Sequence, residues 1–199
     1  MFSKSDFLIV SMASFSALAY LGFIDGTQNS SMLTEFYFFR IPMTAGGSAT
    51  GLYFAVIVSF IYFMVSFFNS FFNKDHKYPA VYIMLFIFSL AGVIGVFCAN
   101  NLISLFIFFE IVVWTSMFLI PLGGRRKPTV TYFVFSTLGS FALLYAILLT
   151  FSLTGSIALN SVSMLSGFPA LLVYILIAVA AMAKLGIYPF YTWLAKVLG

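Results

Sequence analysis

A single carboxylate, Glu110, stands in an otherwise uncharged run from Leu102 to Gly124 that is long enough to cross a bilayer. A charged side chain near the bilayer centre costs at least about 2.5–3.5 kcal/mol on insertion scales. Glu110 lies nine residues into this 23-residue run, so its side chain cannot easily reach the membrane surface. The position predicts either a functional carboxylate or a protonated, hydrogen-bonded glutamic acid that only ties helices together.

The composition predicts an all-α integral membrane protein with one transmembrane domain over residues 1–199. Hydrophobic residues make up 63% of the chain and charged residues 7%, which excludes a soluble domain with a large core. The apolar windows predict six spans, of which we expect the last to be discontinuous. Their approximate limits are 6–24, 49–72, 78–99, 102–121, 129–153 and 169–196.

The basic residues indicate which way the spans cross the membrane. If the six spans alternate, one side receives seven cationic residues and the other side receives only Arg40. The seven are Lys4, Lys74, Lys77, Arg125, Arg126, Lys127 and Lys196. Cytoplasmic or matrix loops carry such an excess, so we expect both termini on that side and a hairpin-like segment, residues 25–48, on the opposite one.

A second charge, Lys184, lies in the last apolar stretch just before a predicted helix break. As one helix, residues 169–199 would reach about 46 Å, more than the hydrocarbon core of about 30 Å. Gly186 weakens a helix, and Pro189 removes a backbone donor and clashes with the preceding turn. Backbone groups freed at such a break attract water and ions, so Lys184 is a candidate proton-exchanging group. The alternative is that Lys184 marks the cytoplasmic end of a shorter span.

Other polar residues are less informative. Hydroxyl groups along the fifth predicted span suit either a water path or helix packing, and belong to Thr131, Ser136, Thr137 and Ser140. The single cysteine, Cys98, and the lone His76 give no metal-binding pattern, and no phosphate loop or haem motif is present. We therefore expect this chain to bind no cofactor, metal or nucleic acid. The basic loop at 125–127 could bind anionic lipids.

Two segments resemble the antiporter-like subunits of respiratory complex I, the proton-pumping NADH-quinone oxidoreductase, and of multisubunit sodium/proton antiporters. The first runs from Gly95 to Leu102 and continues to Phe108-Phe109-Glu110, which looks like the family helix with an essential glutamate. The second, from Ala183 to Leu194, is similar to the family's broken helix with a lysine. The resemblance extends from about Ile41 to Leu194.

This resemblance implies that Glu110 and Lys184 form the modulating ion pair of a proton half-channel, in which a change in their separation drives proton transfer. Quinone reduction would then be done elsewhere in a respiratory complex. Other membrane subunits of that complex would be the partners of this chain, in the mitochondrial inner membrane or a bacterial cytoplasmic membrane. The alternatives are a subunit of a sodium/proton antiporter or membrane-bound hydrogenase, and a structural subunit that moves no protons.

The chain departs from the family pattern in three ways. Tyr191 replaces a histidine, Ala195 replaces a proline, and Thr131 stands where the family usually has a buried lysine. Family proteins also continue for several more helices beyond the position of Gly199. We therefore expect the amino-terminal part of a subunit of the chain 2, 4 or 5 type, with the short amino terminus favouring type 2. A split gene and a partner chain that completes the fold would account for its length.

Overall fold

The computed structural model describes residues 34–38, 41–45, 49–72, 78–122 and 127–198. The predicted first span, about 6–24, and most of the predicted positive-side residues lie outside these ranges. Two short strands, β1 (Thr34–Phe38) and β2 (Ile41–Ala45), pair antiparallel within the segment predicted to be hairpin-like. The rest of the described chain is almost entirely helical, which confirms the all-α membrane class.

After the hairpin, the described residues form six α-helices and one short 3-10 helix. They are α1 (Ala49–Phe72), α2 (Pro79–Cys98), α3 (Leu102–Leu122), α4 (Lys127–Thr154), the 3-10 helix (Leu159–Met164), α5 (Gly167–Leu185) and α6 (Thr192–Leu198). Within the described residues, the apolar stretches of α2, α3, α4 and α5 are each long enough to cross a membrane. The chain is therefore an integral membrane protein.

Neighbouring helices along the chain pack beside one another. The most extensive contacts join α2 to α3 and α4 to α5, and smaller contacts join α1 to α2 and α3 to α4. A buried apolar cluster joins α3, α4 and α5, and consists of Leu102, Leu143, Ile147 and Ala180. The bilayer replaces water outside this bundle, so many large apolar side chains can be exposed on its outer surface.

The turn between α2 and α3 is fastened to the segment that follows α4. Asn101 caps α3, because its side-chain oxygen accepts a hydrogen bond of 2.6 Å from the backbone N–H of Ser104. Asn101 also forms an isolated β-bridge with Ala158, and the N–H of Leu102 donates to the carbonyl of Ile157 at 2.8 Å. These bonds clamp one end of the α2–α3 pair to the same end of the α4–α5 pair.

The close approach of α4 and α5 depends on small residues. A Cβ atom added at Gly139 would lie 3.1 Å from the Cβ of Ala183 and 3.3 Å from the carbonyl oxygen of Ala180. Ala183 and Ala180 are themselves buried. The residue after Ala183 is Lys184, so this packing brings the lysine to the interface between α4 and α3.

The last predicted span is broken at the expected place. Helix α5 ends at Leu185, and Gly186 follows with φ +64° and ψ +36°, a left-handed conformation that glycine adopts without strain. Its N–H and that of Ile187 both bond to the carbonyl of Met182 and close the helix. Pro189 lies in the connection, and α6 begins at Thr192. The discontinuous last helix is therefore confirmed.

Candidate functional site

Lys184 lies in the last turn of α5 and is half-buried. Its ammonium group reaches across to α3, where it donates hydrogen bonds to the carbonyl oxygen of Val112 at 3.3 Å and to the hydroxyl of Ser116 at 3.5 Å. A short third bond goes to the hydroxyl of Tyr132 on α4. Three neutral oxygen atoms from two helices therefore surround this charge.

Tyr132 is the most deeply buried of these partners, with only 1% of its surface exposed. Its hydroxyl oxygen accepts from Lys184, and the hydroxyl proton is directed at the carbonyl of Val113, 3.4 Å away. The ammonium lies 5.0 Å from the centre of the Tyr132 ring and beyond the hydroxyl, so it contacts the oxygen and not the aromatic face. The hydroxyl of Tyr132 is therefore the acceptor that α4 offers the lysine.

Glu110 lies on α3, two residues before Val112, and is half-buried. This offset corresponds to about 3 Å along the helix axis. Its Oε1 atom is buried and has no hydrogen-bond partner among the described residues. Residues two apart on a helix point in different directions, and the ammonium binds Val112, Ser116 and Tyr132 rather than the carboxylate. Helix α3 thus carries both Glu110 and two of the three lysine contacts.

The break after α5 is joined to the lysine site by Trp193. The indole N–H donates a hydrogen bond of 3.1 Å to the carbonyl of Ala183, the residue before Lys184. The indole ring also meets the Tyr132 ring edge-on, with 4.9 Å between the ring centres. Helix α6 therefore contacts both the lysine's own backbone and the lysine's tyrosine partner.

Two further polar atoms lie on the buried face of α4. The hydroxyls of Ser136 and Ser140 are buried and have no hydrogen-bond partner among the described residues. Tyr132, Ser136 and Ser140 follow one another at four-residue spacing, which places them along one side of the helix. Buried polar atoms of this kind are the sites at which internal water binds. The other two predicted hydroxyl residues, Thr131 and Thr137, are less buried.

The described residues include no group of three histidine, cysteine, aspartate or glutamate side chains placed to hold a metal ion. A separate pocket of about 360 Å³ is apolar and is lined by residues of α3 and α4, including Phe106, Leu144 and Phe151. This pocket offers no polar group for an ion.

The sequence analysis did not identify Tyr132 or Ser116. The chain has eleven tyrosines, and an aromatic residue in an apolar helix carries no mark of function. The usable signal was spacing, because Tyr132 precedes Ser136 and Ser140 by one and two helical turns. Ser116 lies six residues after Glu110 and was indistinguishable from a packing residue.

A family model described as "NADH:quinone oxidoreductase/Mrp antiporter, TM" matches residues 99–199, which include Glu110, Lys184 and the helix break. Two different Na(+)/H(+) antiporter subunits of Alkalihalophilus pseudofirmus are among the similar curated proteins. One is 30% identical over 167 residues, which are 77% of this chain and 20% of that protein. The other is 29% identical over 133 residues, which are 62% of this chain and 26% of that protein.

NADH-quinone oxidoreductase subunit N of Alkalilimnicola ehrlichii is 29% identical over 126 residues, which are 58% of this chain and 26% of that protein. The chain thus spans about a quarter or less of the length of these relatives.

Two solved structures share the fold, each with a TM-score of 0.81 over 94% of this chain. One is the membrane-bound sulfane sulfur reductase, an archaeal respiratory membrane complex, at 24% identity over 31% of the matched chain. The other is the Mrp complex from Dietzia sp., at 23% identity over 22% of the matched chain. The family model covers half of the sequence and the fold agrees, so this chain belongs to the NADH:quinone oxidoreductase/Mrp antiporter transmembrane family.

Proposed function

We propose that this chain contributes a proton half-channel to an antiporter-like subunit, with Glu110 and Lys184 as the pair that exchanges protons. The observation that carries the proposal is the partly buried Lys184 ammonium bound to α3, the helix that also carries Glu110, whose Oε1 atom has no hydrogen-bond partner among the described residues. Among the side chains that the structure describes, the charged ones are Glu110, Lys184 and Lys196. Placing a cation and a carboxylate in an apolar membrane bundle costs free energy, so a role in transport accounts for their presence.

The arrangement supplies what a proton path needs. Lys184 holds a proton on a flexible stem, and its ammonium donates to three neutral oxygen atoms, so release of the proton breaks no ion pair among these contacts. The side-chain oxygens of Glu110, Ser136 and Ser140 that have no hydrogen-bond partner among the described residues are positions for water, and this water would relay protons through the bundle. The unwound backbone between Gly186 and Thr192 adds polar groups close to the lysine.

The assembly that we propose is a respiratory NADH:quinone oxidoreductase, in which other subunits perform the redox chemistry. The similarity to a subunit N supports this choice. In that setting, further membrane subunits, including a chain that completes the antiporter-like fold, would surround this one, and lipids would cover the remaining faces. The membrane would be the mitochondrial inner membrane or a bacterial cytoplasmic membrane, with both termini on the matrix or cytoplasmic side, as the basic residues predict.

A second candidate is a component of a sodium/proton antiporter without redox partners. The matches to the two Na(+)/H(+) antiporter proteins of Alkalihalophilus pseudofirmus favour it. Isolation of the complex through an affinity tag on this chain distinguishes the two candidates. Flavin and iron–sulfur absorbance in the isolated complex would support the respiratory assembly, whereas sodium-dependent proton movement without these groups would support the antiporter.

The central test compares proton translocation by the tagged complex in proteoliposomes for wild type, Glu110→Gln and Lys184→Ala at equal complex content. Both variants are expected to lose translocation. Lys196→Ala is the matched control, because it removes an exposed lysine on α6 and should leave translocation unchanged. Normal assembly with undiminished translocation in both site variants would contradict the proposal and indicate a structural subunit.

A further inference from the structure

The Lys184 ammonium already has a full set of partners without Glu110. The hydroxyl of Tyr132, the carbonyl of Val112 and the hydroxyl of Ser116 together receive it. Meanwhile the Glu110 Oε1 atom is buried without a hydrogen-bond partner among the described residues. A buried carboxylate oxygen without a donor is costly, and a hydrogen bond to a charged group is stronger than one between neutral groups. The oxygen atoms of Tyr132, Val112 and Ser116 must therefore hold the ammonium in place against the attraction of the carboxylate.

We propose that Tyr132 is a positioning residue that competes with Glu110 for the Lys184 ammonium, so that the lysine switches between a tyrosine-bound and a carboxylate-bound position. The role of this switch in transport rests on the proposed function. The competition itself is a property of the resting molecule and can be tested without measuring transport.

Tyr132 is better suited to this task than the other two partners. Its ring is buried, and its own proton is directed at Val113, so its oxygen presents a lone pair to the lysine. The bonds to Val112 and Ser116, at 3.3 and 3.5 Å, are long by comparison.

Trp193 gives the switch a connection to the helix break. The indole contacts the Tyr132 ring and donates a hydrogen bond to the carbonyl of Ala183, the residue before Lys184. One side chain of α6 therefore contacts both the tyrosine that binds the lysine and the backbone next to the lysine. A shift of α6 would therefore change the position of the Tyr132 hydroxyl relative to the ammonium. The broken helix then acts on the lysine through the tyrosine.

The test measures whether Glu110 is paired, by labelling with dicyclohexylcarbodiimide in the tagged complex. This apolar reagent reacts with protonated carboxylic acids, so an ion pair with Lys184 would protect Glu110 by keeping it ionised. Mass spectrometry of the peptide that contains Glu110 gives the extent of labelling. The variants are Tyr132→Phe, the double variant Tyr132→Phe/Lys184→Met, and the control Tyr145→Phe, an exposed tyrosine on the same helix.

Tyr132→Phe keeps the ring against Trp193 and removes only the oxygen. If the tyrosine competes for the ammonium, its loss releases the lysine to Glu110 and labelling falls by about tenfold, the effect of one hydrogen bond to a charged group. The double variant should restore labelling, because no ammonium is left to pair, and Tyr145→Phe should match wild type. A general disturbance of packing would not be reversed by Lys184→Met.

Labelling of Tyr132→Phe at the wild-type level would overturn the proposal, as would a decrease that persists in the double variant. Failure of the proposed function gives a different pattern. In that case Glu110→Gln and Lys184→Ala would still translocate protons, whereas the labelling results would continue to report the competition.

Discussion

Replacing Gly186 by alanine tests whether the helix break is fixed by its packing as well as by its backbone conformation. Gly186 has φ +64°, and a Cβ atom there would lie 3.1 Å from the Cβ and 3.2 Å from the Cδ2 of Leu194. Gly155, which follows the last residue of α4, has nearly the same φ, +69°, and no atom within 4 Å of an added Cβ. The two glycines therefore share the conformational cost but differ in the contact.

The shared cost is the left-handed backbone, about 1–2 kcal/mol for a residue with a side chain. The additional cost at Gly186 comes from the contact with Leu194, whose Cβ is fixed to the backbone and cannot swing away. Overpacking of this kind costs about 1–3 kcal/mol. We therefore expect Gly186→Ala to destabilise the protein by about 1–3 kcal/mol more than Gly155→Ala. The same change should push α6, and Trp193 with it, away from the lysine site.

The assay follows thermal unfolding of the tagged complex through alkylation of Cys98, the single cysteine of this chain, quantified by mass spectrometry. Alkylation that rises at a lower temperature indicates a less stable chain. The unfolding midpoint temperature is expected to be highest for wild type, lower for Gly155→Ala and lowest for Gly186→Ala. Equal midpoints for the two variants would refute the reasoning, because they would show that the contact between Leu194 of α6 and an added Cβ at Gly186 has no energetic cost.

Two further predictions use simpler measurements. Asn101→Ala removes the side-chain cap of α3 and should cost about 1 kcal/mol in the same unfolding assay, whereas Asn160→Ala, an exposed asparagine, should have little effect; equal losses would argue against the cap. The chain expressed without partner subunits should be unstable in detergent, because its own helices only half-bury Glu110 and leave many large apolar side chains exposed. A stable, monodisperse monomer on size-exclusion chromatography would contradict that expectation.

The helices could be predicted closely from the sequence because their cause is local. The window 49–72 coincides with α1, and the windows 102–121 and 129–153 agree with α3 and α4 to within two residues at each end. Apolar length sets these limits, and the bilayer requires the backbone to be helical between them. The break was predictable for the same reason, since Gly186 and Pro189 act on their own backbone.

The surroundings of Lys184 could not be predicted, because they join residues far apart in the chain. Tyr132 lies 52 residues before the lysine, and the carbonyl of Val112 belongs to the backbone and leaves no mark in the sequence. Pattern and resemblance directed attention to Glu110 as the lysine's partner. Which acceptor holds the ammonium depends on how α3, α4 and α5 pack, and that depends on contacts such as Gly139 against Ala183.

The hydrogen bonds of Asn101, Leu102 and Ile157 join the α2–α3 pair to the α4–α5 pair at one end only. A tilt of α3 about this end would move its residues in proportion to their distance from it. Helix α3 starts at the joint, and Ser116 lies 14 residues, or about 21 Å, along it. A rotation of only about 3° at the joint would move Ser116 by about 1 Å, while Leu102 would hardly move. A displacement of that size decides whether an acceptor lies within hydrogen-bond range of an ammonium group. A small tilt supplied by a neighbouring subunit would thus suffice to change the lysine's partner.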